Sequence, residues 1–111
     1  MGSTDSLLGA LELLVLKAVE NGPMHGWGIT LHIQNVSNDV LRVEEGSLYP
    51  ALHRMEKAGW VKAEWGLSEN NRRARFYKIT PAGRNQLRSE QEKWESVAQA
   101  IALVLRGRAL A

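Results

Sequence analysis

A mainly α fold with one small β-hairpin, an α+β arrangement, is what this chain predicts, on three observations. Apolar residues recur at helical spacing over three stretches before residue 60 and one after residue 80. Two short β-prone runs, 60–65 and 75–80, flank a segment that holds Gly66, Ser68, Asn70 and Asn71. The last helical stretch is longer than a domain of 111 residues can cover alone, so it needs a partner.

The first helix is expected over residues 7–20. It is apolar nearly all round, with Glu12, Lys17 and Glu20 as its few polar points, which predicts burial on more than one side. Asn21-Gly22-Pro23 stops it, Gly for a left-handed cap and Pro to prevent continuation. A second helix is expected from about His25 to Val36. Trp27, Ile29, Leu31, Ile33 and Val36 supply its apolar contacts. Gly26 and Gly28 near its start suggest close packing, at some cost in helix propensity. Ser37-Asn38-Asp39 ends it, and Val40-Leu41-Arg42-Val43 reads as a short strand.

The third helix carries Leu48, Leu52, Met55 and Ala58 on one face. Its other face carries Ser47, Tyr49, Pro50, His53, Arg54 and Lys57, with one acid, Glu56, at the far end. Pro50 belongs in a first turn, so the helix should begin near Gly46 or Ser47. Trp60–Trp65 and Arg75–Thr80 are expected to pair as a hairpin, with 66–74 as the connection. Asn70 and Asn71 suit its turn, because Asn tolerates left-handed backbone. Thr80 as N-cap and Pro81 at the first position start the last helix, which runs to about Arg106. Leu87, Trp94, Val97, Ile101 and Val104 form a coiled-coil-like seam along it.

Several function classes drop out. With no cysteine there is no disulfide framework and no thiolate zinc site. His25 and His32 stand seven residues apart on one helix, about 10 Å along its axis, too far to share an ion. No metal and no cofactor are expected. Ser47 and His53 lack a glycine-flanked elbow, so no catalytic constellation exists and no enzyme is predicted. No apolar run approaches the roughly twenty residues that span a bilayer. Met1–Ser6 loosely fits an acylation pattern, but no polybasic run accompanies it, and the region reads as a plain start. With no signal-peptide pattern, a cytoplasmic protein is expected. The net charge is only +2, yet residues 1–60 hold four Lys/Arg against seven Asp/Glu, and residues 61–111 hold ten against five. A local basic patch matters more to a polyanion than the total.

A helix with an anchored face and a polar, cationic face, followed by a basic hairpin, is the layout of a winged helix-turn-helix. The motifs then become specific. Leu8-Gly9-Ala10-Leu11-Glu12-Leu13-Leu14-Val15-Leu16 resembles the opening helix of PadR-family transcriptional regulators. Gly22-Pro23-Met24-His25-Gly26-Trp27 resembles that family's Gly-Pro-x-His-Gly-Tyr turn, with Trp27 in place of the usual Tyr. Glu45-Gly46-Ser47-Leu48-Tyr49-Pro50-Ala51-Leu52 resembles its most recognisable motif. Arg73–Gly83 resembles its wing strand and following helix start. The resemblance spans roughly residues 7–106. The single last helix resembles the short class, and the variants around Glu44-Glu45-Gly46 and Ser68–Arg73 resemble a compact, acidobacterial-type subgroup.

The implied protein is a cytoplasmic, dimeric, sequence-specific DNA-binding regulator, a repressor in the simplest reading. Residues 1–80 are read as the winged helix-turn-helix domain. Residues 81–111 are read as a dimerisation helix packed with helix 7–20. Ser47 and Tyr49 at the start of the third helix suit a phosphate, or else a cap and core packing. Pro50, His53, Arg54 and Lys57 lie along the groove face, where Arg54 suits guanine or phosphate; a solvated face is the plainer reading. Arg72, Arg73 and Arg75 at the wing suit a phosphate or the minor groove, with Asn71 beside them at the tip. Leu11 and Leu14 of the first helix are expected to join Leu87, Trp94, Val97, Ile101 and Val104 at a homodimer interface. Two copies of Trp94 would also frame a pocket for a planar small-molecule effector, beside the plainer reading of dimer packing. A winged-helix module that binds protein and not DNA is the alternative function.

Overall fold

A computed structural model describes residues 9–107. The expected helix start at Leu7 and the acylation-like pattern of Met1–Ser6 lie outside these residues. In chain order come α1 (Leu11–Ala18), β1 (Met24–His25), α2 (Gly26–Val36), α3 (Glu45–Lys57), β2 (Val61–Leu67), β3 (Arg73–Ile79) and α4 (Pro81–Leu105). The α+β class holds. α1, α2 and α3 pack around one core whose most deeply buried side chains are Val15, Leu16, Val19, Ile29, Leu48, Leu52 and Met55. The sheet closes that core from one side through Val61, Tyr77 and Ile79.

α1 ends at Ala18, two residues short of the expected Glu20, in a turn where Glu20 N–H donates to the Lys17 carbonyl. α2 begins at Gly26 because His25 caps it: the imidazole Nδ1 accepts from Gly28 N–H at 3.0 Å. Ile29 and Ile33, four apart, face the core. The apolar pattern of the sequence puts Trp27, Leu31 and Val36 there too, but they lie outside the buried arc and are exposed. The tight packing expected of Gly26 is real. A Cβ on it would lie 2.5 Å from the Tyr49 hydroxyl oxygen and 2.9 Å from Cζ of that ring. Gly28 meets only ordinary contacts.

The strand expected at Val40–Val43 does not form. Asn38 and Asp39 both adopt positive φ, 54° and 66°, and turn the chain. Ser37 Oγ then accepts from Leu41 N–H at 3.0 Å, which takes a donor the strand would have used. Leu41 and Val43 instead pack part-buried on the core. The third strand is Met24–His25, paired antiparallel with Tyr77 and Phe76, so the sheet order is β1-β3-β2.

The hairpin is longer than expected and its loop is shorter. β2 and β3 pair from Val61↔Ile79 to Leu67↔Arg73. Asn71 N–H donates to the Ser68 carbonyl and Ser68 N–H to the Arg72 carbonyl, both at 2.9 Å. Asn71 holds φ 60°, the left-handed residue of a three-residue hairpin loop. At the base, Thr80 Oγ1 accepts from Gly83 N–H at 3.0 Å as the expected cap, and Pro81 follows it. α4 reaches Leu105, close to the expected end, and carries the molecule to 60 × 28 × 23 Å.

Candidate nucleic-acid interface

α3 is an amphipathic helix held by four buried side chains, Leu48, Ala51, Leu52 and Met55. Ala58, expected on that face, is exposed at the C-cap, and Ala51 takes its place. At 3.6 residues per turn, Gly46, Pro50, His53 and Lys57 form the opposite ridge, and all four are exposed. α3 starts at Glu45, so Pro50 sits in the second turn and not the first. It leaves the Gly46 carbonyl without its helical N–H. Both residues face solvent, where water can take that carbonyl.

The flanks of this ridge differ from expectation. Tyr49 is both exposed and packed, its ring lying against Gly26. Arg54 leans toward α1, where its Nε donates to Glu12 Oε2 at 3.3 Å. Its terminal nitrogens stay available, since a guanidinium presents its donors in a rigid fork. Ser47 is part-buried in the first turn, beside the exposed carboxylates of Glu44 and Glu45. Acids suit a helix N-terminus but oppose a phosphate there. The cationic end of α3 is its second half.

The wing presents a different set. On β3, Arg73 and Arg75 share a face with Tyr77 and Ile79, as strand alternation demands. Their cross-strand partners are Leu67 and Trp65. The Arg73 guanidinium lies 4.4 Å from the Trp65 ring centroid, and that of Arg75 lies 6.0 Å away. Arg75 also donates through Nη2 to Glu56 Oε2 of α3 at 3.1 Å. Arg72 is exposed on the loop. Among the described residues, Arg72, Arg73, His53 and Lys57 make no ion pair. On the other side, His25 Nε2 lies 3.4 Å from Glu69 Oε1 and the imidazole meets Phe76 edge-on at 5.3 Å. The wing is therefore tied to α3 and to the start of α2. Burial pushes the Tyr77 phenol above its ordinary range, against the lowering effect of Arg75. It stays neutral in the fold, so its contribution is intact below pH about 10 and fades in alkali.

Sequence reasoning placed the arginines but missed Glu12, Glu56 and Trp65. Glu12 had one visible signal, a carboxylate on an otherwise apolar helix. The two glutamates hold arginines 42 and 19 residues away, which no local pattern encodes.

Of the expected dimer residues, Leu11 and Leu87 lie in the subunit's own core, and Leu14 is part-buried against it. Trp94, Val97, Ile101 and Val104 are exposed along α4, joined by Leu103 and Leu105. Trp94 and Val97 also line an open apolar groove of about 150 Å³ with Gly9, Ala10, Leu13, Glu90 and Lys93. Among the described residues no His/Cys/Asp/Glu cluster could hold a metal, and no helix is long and apolar enough to cross a membrane.

Known proteins share this arrangement. A transcriptional regulator from Mycobacterium tuberculosis is 34% identical over 92 residues, 83% of this chain and 82% of that protein. A solved transcriptional regulator from Clostridium thermocellum matches with a TM-score of 0.78 at 28% identity, over 88% of this chain and 95% of that one. A PadR-like transcriptional regulator from Bacillus cereus matches with a TM-score of 0.79 at 26% identity, over 94% and 99%. The family description "Transcriptional regulator PadR-like family" fits residues 15–89. This chain belongs to that PadR-like family, whose members are transcriptional regulators and not enzymes.

Proposed function

We propose that this regulator is a homodimeric repressor that binds double-stranded DNA at an inverted-repeat operator. The observation that carries the reading is the pairing of an exposed α3 ridge, Pro50, His53 and Lys57, with wing arginines Arg72 and Arg73 that no described carboxylate engages. The ridge suits a major groove and the wing suits phosphates or the minor groove beside it. The exposed α4 stripe supports association of two copies, with α4 as the dimerisation element and residues 1–80 as the reading unit. Two-fold symmetry would set the α3 helices about one DNA turn apart. Repression follows from occlusion of a promoter, in the cytoplasm.

A planar effector at Trp94 is the added, ligand-responsive form of the same reading. The apolar groove beside Trp94 supports it. Trp94→Ala protein that still dimerises and responds normally to every tested effector would sink it.

Genomic-fragment selection with the purified protein, then a salt series on the best fragment, tests the main reading. A recovered palindrome whose affinity falls steeply with salt is the expected result. Arg72→Ala/Arg73→Ala should bind more weakly, with a slope shallower by about 0.9 for each phosphate no longer neutralised. Absence of enrichment at low salt, with tight binding to a partner protein, would replace this reading with a protein-interaction module.

A further inference from the structure

We propose that Trp65 and Leu67 form an apolar wedge that seats against the sugars and base edges of the DNA minor groove. The inference rests on the DNA-binding reading above and names an apolar footing that the arginines alone do not supply. Both side chains project from one face of β2, two residues apart, opposite Arg75 and Arg73. Trp65 is 60% exposed and Leu67 66% exposed. Nearer the hairpin base the same face is core, through Val61 and Tyr77. Past the helices it runs on as surface, where Arg73 lies over the Trp65 ring and most of Trp65 and Leu67 still faces solvent.

Its orientation is fixed by Arg75. That residue stands directly opposite Trp65 and reaches Glu56 of α3, so this face of the wing is turned toward the helix of the proposed groove-reading ridge. Its charge fits one occupant. The Arg73 guanidinium lies over the indole at 4.4 Å and Arg72 follows at the tip, while Glu56 is engaged by Arg75 and Glu69 lies on the side of His25, 3.4 Å from its Nε2. Apolar surface rimmed by Arg72 and Arg73, which no described carboxylate engages, matches a groove whose floor is base edges, whose walls are sugars and whose rims are phosphates. A purely apolar partner would leave those guanidinium groups desolvated and unpaired. The stacked arginine also holds the indole in place, so little freedom is lost when it docks.

The test uses the full-length protein on a selected DNA fragment. Trp65→Ala is expected to lose about tenfold in affinity with the salt slope unchanged, because an apolar surface releases no counterion. Trp65→Phe should keep most of the affinity, and Leu67→Ala should lose less than Trp65→Ala. Replacing A·T pairs under the wing by G·C should weaken the wild type, and I·C pairs, whose minor groove resembles A·T, should restore it. Unchanged melting temperature confirms that the variants fold. Wild-type binding with unaltered Trp65→Ala affinity overturns the wedge and leaves the regulator reading standing. Loss of slope in Trp65→Ala also overturns it, since the residue would then act only by placing arginines. No DNA binding by the wild type at low salt overturns both.

Discussion

Gly83 packs against the backbone carbonyl of Trp60 so closely that no Cβ fits between them. The same carbonyl accepts from Thr80 N–H at 3.0 Å, and Thr80 Oγ1 donates to the Gly59 carbonyl at 2.6 Å. The end of α3, the base of the hairpin and the start of α4 therefore meet within a few atoms. A methyl group at Gly83 would also press on Ile79 Cγ1 at 2.9 Å. Neither neighbour is a flexible side-chain end. Gly83→Ala should cost about 2–3 kcal/mol, read as a lower denaturant midpoint with an unchanged m-value. A midpoint within error of wild type would contradict the packing described.

The hairpin loop gives a cleaner backbone test. Asn71 holds φ 60° and is exposed, so its side chain has little packing to lose. Asn71→Gly should leave stability unchanged or slightly raised. Asn71→Val should lose about 1–2 kcal/mol, because a β-branched residue resists the left-handed region. Thermal unfolding of the two variants side by side decides it.

Arg54 and Glu12 make a coupled pair by geometry, with Nε to Oε2 at 3.3 Å. Exposed ion pairs add little stability, so Glu12→Ala should shift unfolding by less than about 1 kcal/mol. Under the proposed DNA-binding reading, its effect belongs to DNA affinity. Arg54→Ala should weaken binding by about five- to tenfold in the wild-type background and by less once Glu12 is Ala. Equal losses in both backgrounds would show that Glu12 does not orient the guanidinium.

The stripe on α4 should govern association. Ile101 is 52% exposed and far from the core, so Ile101→Asp leaves the subunit's own packing alone. It should convert a dimer into a monomer at micromolar concentration by sedimentation velocity. Leu87→Asp should unfold the subunit instead, because Leu87 is buried in it. A fully dimeric Ile101→Asp protein would place the interface elsewhere.

Much of this is legible in the residues, and the gaps have physical causes. Leu48, Leu52 and Met55 declare the buried side of α3 through spacing alone, and with it the exposed ridge. Thr80-Pro81 declares the start of α4 through capping chemistry. The strand Met24–His25 is two residues long and has no period to detect. Val40–Val43 has strand propensity but no ladder to join, and propensity without a partner is weak. Trp27, Leu31 and Val36 read as core because they are apolar, yet apolar residues also cover surfaces. Nothing local reveals that Arg54 and Arg75 would be met by Glu12 and Glu56.

The joint at Thr80 gives α4 the mechanics of a lever. Its 25 residues span about 37 Å at 1.5 Å per residue. A pivot of about 5° at the joint would sweep the far tip by roughly 3 Å, comparable to the rise of one base-pair step. In the dimer proposed above, small angular changes between the two α4 helices would be magnified into whole-step mismatches along a DNA duplex.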